Sequence, residues 1–183
     1  MCHMKVVAVV GMAGAGKSEV SRMFAEVGFA RIRFGDVTDD ELRKRGQELN
    51  EENERRVREL LREEHGMAVY AKLNLPRIEA ALVESDVVVD GLYSWEEYVF
   101  LKEHYGENLC LVAVWSSPAT RYSRLGGRRN RPLTPEEATG RDQVEIENLH
   151  KGGPIAVADY IIVNESSLED LGEQTKRIIA GIG

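Results

Sequence analysis

Two rhythms of apolar residues alternate along the chain. The first is the short, unbroken run. Val6–Val10 (VVAVV) is its strongest case, with the composition of a strand buried on both faces. Similar runs at 31–34, Val87–Asp90, Leu109–Trp115 and 160–164 bring the expected strands to five. The second rhythm is helical. Val20, Met23, Phe24 and Val27 recur at i, i+3, i+4 and i+7. Ala71, Leu75, Ile78 and Leu82 form one stripe of a helix over 67–83, which Pro76 should kink or split. Leu168, Leu171, Thr175, Ile178 and Ile182 form one face of a last helix. The region from 38 to 65 is strongly charged, with Val57, Leu60 and Leu61 as its only clear apolar side. The whole helical insertion between the second and third expected strands, the 67–83 helix included, is thinly apolar, which predicts a mobile flap over the site, outside the sheet core.

Turn chemistry punctuates these elements. Thr38…Glu41, Ser94…Glu97 and Thr134…Glu137 each have the form of a capping box, so helices should start at all three. Pro118 and Pro135 occupy first helical positions, after Ser117 and Thr134. Gly152-Gly153-Pro154 should end the helix that begins at Thr134, and Ser167 should cap the last one. Strands alternating with helices predict an α/β fold: a five-stranded parallel sheet, helices on both faces, ligands gathered at the carboxyl ends of the strands. Gly11, Asp36, Asp90 and Ser116 all fall at such ends.

The first of those ends carries the candidate chemistry. Residues 11–18, GMAGAGKS, fit G-x-x-x-x-G-K-[ST] at every fixed position, between a strand and a helix. Glycines let the backbone approach a phosphate chain without a Cβ in the way. Exposed amides of the loop and of the helix's first turn then form an anion cradle. The candidate nucleotide contacts are Gly11, Ala13, Gly14, Ala15, Gly16, Lys17, Ser18 and Glu19. Lys17 would set an ammonium on the β- and γ-phosphates, and the Ser18 hydroxyl would ligate Mg²⁺. Asp90, closing an apolar strand, is the candidate second holder of that metal, although Asp-Gly is also a turn dipeptide. Asp36 reads equally as a base for a hydroxyl acceptor or as a turn residue before a helix. Arg121, Arg124 and Arg128 fall on one helical stripe. It is either a solvated basic face or one aimed at a polyanion, and arginine forks suit phosphate. Arg141, Asp142 and Glu145 are the expected partners of that stripe when the site is empty.

Composition narrows the class. The 183 residues suffice for one domain burying roughly 70% of its unfolded surface. Hydrophobic content of 43% and charged content of 30% are ordinary for a soluble globular chain, and a net charge of −7 argues against a nucleic-acid coat. The apolar runs are too short for a membrane span, and residues 1–10 lack the form of a signal peptide. A cytoplasmic location follows as an expectation. Cys2 and Cys110 are too isolated for a disulfide framework, and Cys110 reads as a buried small hydrophobe. His3, His65, His104 and His150 read as solvent-facing, and Trp95 and Trp115 as core.

GMAGAGKS at 11–18, FGDV at 34–37, VVVDG at 87–91, RYSRL at 121–125 and ADYIIVNESSLEDL at 158–171 together give the chain a family likeness along nearly its whole length. It resembles the small nucleotide and coenzyme kinases of the P-loop class: dephospho-coenzyme A kinases, adenylate-kinase-like enzymes and, closer still, an archaeal family of adenylate-kinase-related P-loop proteins. The resemblance implies a core of 4–36, 86–120 and 155–183, a helical acceptor-binding insertion at 37–85, and an arginine-rich lid at 121–154. It implies that Arg121, Arg124 and Arg128 are lid arginines and that Asn164 lies near the donor base. Two departures stand out. Asp39 and Asp40 occupy places where the archaeal family usually carries a basic residue, and Leu92-Tyr93 replaces its Ile-Arg. The expectation is an ATP- and Mg²⁺-dependent phosphotransferase acting on a nucleotide or nucleotide-like small molecule, a monomer or homodimer without nucleic-acid or membrane partners. The rival is a nucleotide-controlled regulatory ATPase. Its GTPase form is weakened because the guanine-specifying Asn-Lys-x-Asp is absent.

Overall fold

The computed structural model describes residues 4–129 and 132–182. Five strands, β1 (Val6–Val10), β2 (Ala30–Arg33), β3 (Val87–Asp90), β4 (Leu109–Trp115) and β5 (Tyr160–Val163), form one sheet in the order β2-β3-β1-β4-β5. Every neighbouring pair is parallel; Val6 lies between Val87 and Leu109. Nine helices accompany them among the described residues: α1 (Lys17–Glu26), α2 (Asp36–Lys44), α3 (Glu51–His65), α4 (Val69–Ala81), α5 (Trp95–Tyr105), α6 (Pro118–Gly126), α7 (Pro135–Glu147), α8 (Gly152–Ala156) and α9 (Leu168–Ile182). The fold is therefore the expected α/β sheet with both faces covered.

The alternation of side chains along each strand divides the core in two. Val7, Val9, Val88, Val112, Val114 and Ile162 face α1 and α9, where Val20, Phe24, Leu171, Ile178 and Ile182 meet them. Val6, Ala8, Val10, Val87, Val89, Leu109, Leu111 and Ala113 face the other way. Leu42, Val57, Leu61, Val69, Tyr70, Ala71 and Ile78 pack into that second cluster. The 37–85 segment is thus built into the core, and the expectation of a flap outside it is corrected. Its apolar residues are few, but the contributing ones are almost wholly buried; Tyr70 is 0% exposed and its hydroxyl lies 2.7 Å from Thr38 Oγ1.

That contact explains a second correction. Thr38 does not cap: α2 begins two residues earlier, at Asp36, with Gly35 before it and no side-chain cap. A turn at Gly46 (φ 63°) then separates α2 from α3, which Asn50 caps by accepting from Asn53 N at 2.9 Å. Pro76 does not split α4, which runs through it as one helix. The Gly-Gly-Pro segment, expected only as a stop, forms the short α8. Ser94 Oγ caps α5 by accepting from Glu97 N at 3.1 Å, but the Glu97 carboxylate turns to Tyr93 N at 2.7 Å, so the box is displaced by one residue. The Thr134 box forms in full, and Ser167 Oγ accepts from Asp170 N. Trp95 and Trp115 are 37% and 46% exposed, which overturns their placement in the core. His65, His104 and His150 do face solvent. Cys110 is half-buried, and burial pushes its thiol up to about 11. His3, Cys2 and Arg131 lie outside the described residues. No described helix is long and apolar enough to cross a membrane.

Candidate functional site

β1 delivers the chain to a loop that turns directly into α1, whose first residue is Lys17. The loop is wound so tightly that two of its glycines are obligatory. Gly14 sits at φ 81°, where a Cβ would come within 2.8 Å of the Arg121 carbonyl oxygen. Gly16 sits at φ 106°, where a Cβ would collide with the Asn164 side-chain amide nitrogen. Both conformations strain any side-chain-bearing residue. Glu19 N and Val20 N already donate to the Gly16 carbonyl, but because α1 starts at once the Lys17 and Ser18 amides have no carbonyl one turn back to bond. They and the dipole behind them form the anion cradle read from the motif.

The loop is gripped from behind by groups from three later segments. Asn164 Nδ2 donates to the Ala15 carbonyl at 2.8 Å, and Ser116 Oγ reaches the same oxygen at 3.3 Å. Arg121 is 4% exposed and spends its fork inward: Nη1 donates to the Ala13 carbonyl at 3.1 Å and to Asp142 Oδ1 at 2.8 Å, and Nη2 to Asp142 Oδ2 at 2.5 Å. Arg124 donates to Ser116 Oγ and to the Asn164 carbonyl, each at 3.0 Å. Glu145 Oε2 accepts from Ala13 N at 3.3 Å. The arginine stripe is therefore divided. Arg121 holds the loop directly, Arg124 holds Ser116 and Asn164, which brace it, and Arg128 lines the cavity described below. Of the partners expected for the stripe, Asp142 meets it; Glu145 turns to Lys151, and Arg141 to Glu51 and Glu145.

At the mouth of the cradle, Lys17 Nζ donates to the Met12 carbonyl at 3.0 Å. Burial lowers its pKa to about 7, helped by Lys151 and opposed by Glu145 and Asp90. Ser18 Oγ lies 3.5 Å from Asp90 Oδ1, and Arg31 on β2 holds Oδ2 at 2.5 Å. Asp90 is only 4% exposed, so that guanidinium fixes which oxygen faces Ser18. A hydroxyl and one carboxylate oxygen side by side fit a hard divalent cation that takes its remaining ligands from phosphates and water. No group of three His, Cys, Asp or Glu among the described residues could hold a metal alone. Glu19 points outward and pairs with Arg22.

Sequence reasoning missed the buried pair beside the loop. Lys151 is 1% exposed, with Nζ 2.8 Å from Glu145 Oε2. Burial alone would raise the Glu145 pKa, but Lys151, Lys17 and Arg141 outweigh it and hold the carboxyl near 2. Glu145 also lines a cavity of about 1320 Å³ between α2–α3 on one side and α7 on the other. The phosphate cradle and this cavity are thus neighbours through one residue. Arg33, Arg55, Arg58, Arg62 and Arg141 line it together with Arg128. Arg55, Arg58 and Arg62 repeat the i, i+3, i+7 spacing of the 121–128 stripe, the signal that could have revealed them. Asp39 lines the cavity; Asp36 pairs with Arg33 at 3.2 Å and is not part of the lining.

A glycine loop closing a central parallel strand, a helix starting on its lysine and an acid at the end of the adjacent strand define a P-loop domain with the kinase-type fold. The family described as AAA domain matches residues 7–149. The chain belongs to this family and, more narrowly, to the UPF0200 proteins: it is 40% identical to the UPF0200 protein of Hyperthermus butylicus over 97% of this chain and 95% of that one. Among solved structures, a shikimate kinase from Bacteroides thetaiotaomicron superposes with a TM-score of 0.63 at 14% identity, covering 98% of each chain. A dephospho-CoA kinase from Campylobacter jejuni superposes with a TM-score of 0.57 at 15% identity, covering 100% of this chain and 99% of that one. At such identities the likeness is one of fold.

Proposed function

We propose that this protein is an ATP-dependent phosphotransferase whose acceptor is a nucleotide or nucleotide-like small molecule, in the manner of adenylate-kinase-like or dephospho-coenzyme A kinases. The observation that carries the proposal is the adjacency of cradle and cavity: Glu145 bonds the loop amide of Ala13 and also lines the arginine-walled cavity. A donor tail in the cradle and an acceptor in the cavity would then meet end to end, which is what in-line transfer requires.

In this proposal the amides of Gly14 and of 16–18 and the Lys17 ammonium hold the β- and γ-phosphates, while Ala13 N and Ala15 N are taken by Glu145 and the Met12 carbonyl. Phosphate charge beside Lys17 would restore the protonated form that burial disfavours. Ser18 and Asp90 would hold Mg²⁺, which supplies charge neutralisation at the transferred group. Arg121, Arg124 and Asn164 act one step back, fixing the loop so that its amides stay aimed. Arg128, on the 121–154 segment, is the stripe's remaining candidate for the transferred phosphate. The acceptor oxygen attacks the γ-phosphorus, its bond to ADP breaks, and the acceptor's proton, where it has one, leaves to a base. A phosphate acceptor is already ionised and needs none. For a hydroxyl acceptor, Asp39 now stands beside Asp36 as a candidate because it lines the cavity.

The test is ADP release from MgATP in the presence of nucleoside monophosphates, nucleosides, dephospho-coenzyme A or no acceptor. Acceptor-dependent release supports transfer. Slow release indifferent to every acceptor would support a regulatory ATPase in its place.

A further inference from the structure

We infer that the acceptor is an anion, a phosphate monoester or a carboxylate, and that its charged group binds between Arg58 and Arg141 in the place now held by the Glu51 side chain. The word acceptor rests on the phosphotransfer reading above; the anion site itself rests on geometry. Glu51 opens α3, and its Oε1 accepts from Arg58 Nη2 at 2.8 Å while lying 3.6 Å from Arg141 Nη1 on α7. One carboxylate oxygen therefore serves guanidinium groups from both walls of the cavity. Guanidinium groups are always charged and only donate, so the space between them calls for an acceptor, and an anion such as the Glu51 carboxylate also offsets their charge.

Both arginines are held in place by a second carboxylate. Glu54 Oε2 is 3.4 Å from Arg58, and Glu145 Oε1 is 3.4 Å from Arg141. Neither would lose its aim if Glu51 left. Glu51 is itself a weak occupant: its side chain is 38% exposed, and ion pairs that open to water contribute little. A ligand anion with two or three oxygens could meet both forks where Glu51 offers one oxygen. One turn along the same wall, Arg62 leaves its buried Nε without a hydrogen-bond partner, a donor consistent with a missing ligand. This clamp supplies positive charge to a cavity whose α2 side carries Asp39, one of the two acids standing where the resemblance leads one to expect a basic residue.

The test fills the donor site with a non-hydrolysable ATP analogue and titrates probes calorimetrically. The probes are AMP and CMP for the phosphate arm, D-gluconate for the carboxylate arm, and adenosine, cytidine and glucose as uncharged counterparts. An anion of one arm should bind at least tenfold tighter than its neutral counterpart. Glu51→Gln, a change at a half-exposed helix start that leaves the fold intact, should tighten that anion about fivefold and leave the neutral probes unmoved. Arg58→Gln and Arg141→Gln should each weaken it about tenfold, and Arg58→Gln, whose partners are Glu51 and Glu54 and not Glu145, should leave the affinity for the analogue unchanged. The inference is overturned if neutral probes bind as well as anions, if Glu51→Gln changes nothing, or if no anion binds wild type or Glu51→Gln. Should the analogue itself fail to bind, the phosphotransfer reading is what suffers, and the same titrations without it still decide the anion site.

Discussion

Asp142→Ala separates the two roles open to Arg121. In the fold, Asp142 accepts from both Arg121 Nη atoms, at 2.8 and 2.5 Å, and from the Tyr122 hydroxyl at 3.0 Å. The pair is nearly dry, with side-chain exposures of 5% and 12%. Removing the carboxylate leaves a buried guanidinium with only the Ala13 and Ser116 carbonyls as acceptors. Breaking one side of such a pair costs about 3–5 kcal/mol, most of it the cost of the unpaired charge. For a domain of this size that lowers Tm by roughly 6–20 °C, at about 2–4 °C per kcal/mol. Replacing both partners, as in Arg121→Met with Asp142→Leu, should restore most of the loss, because no buried charge is then left unpaired. Urea unfolding of the wild type, the two single variants and the double variant gives the coupling energy directly. Because Arg121 reaches the Ala13 carbonyl, MgATP affinity should fall along with stability in Asp142→Ala. A loss below about 1 kcal/mol, with nucleotide affinity intact, would refute the latch and return Arg121 to the donor phosphates that the family resemblance implied.

Lys17→Ala should lower kcat/KM by at least about a hundredfold, the scale for losing one preorganised electrostatic group, while urea stability holds or rises because a half-buried, poorly solvated cation beside Lys151 is gone. Gly16→Ala should abolish MgATP heat of binding: the loop would have to accept a Cβ at φ 106° against the Asn164 amide, and far-UV circular dichroism should show the sheet and helices intact. Glu97 gives a pH signature. Burial raises its pKa from 4.5 to about 7, and its Oε1 is buried without a partner. A carboxyl raised in the folded state favours folding below pH 4.5 and progressively loses that advantage as pH rises to about 7. Glu97→Gln should therefore be more stable than wild type at pH 8, by on the order of a few kcal/mol, with the gain shrinking below pH 4.5. Denaturant melts at pH 4, 6 and 8 would contradict this if the difference were flat.

What was legible in the chain was whatever rests on local repetition. The five strands and the loop came from composition and spacing, because a strand buried on both faces has to be apolar throughout and an anion loop has to be glycine-rich. The insertion was misread for a physical reason: Leu42, Val57, Leu61, Tyr70 and Ile78 are spread over three helices, so no single window shows the face they build together. Thr38 was misread because a threonine followed by Glu41 satisfies the box pattern whether its hydroxyl turns to its own backbone or to Tyr70, and only the tertiary contact decides. The arginines make the same point about function. Residues 121, 124 and 128 and residues 55, 58 and 62 share one spacing. In the fold, Asp142 and the loop carbonyls occupy Arg121, whereas Arg58 and Arg62 look into the cavity. Periodicity places charges on a common side of a helix but leaves open which carboxylates already neutralise them. The clamp at Glu51 exists only because α3 and α7, which start 84 residues apart (135 − 51), face each other across the cavity in the fold.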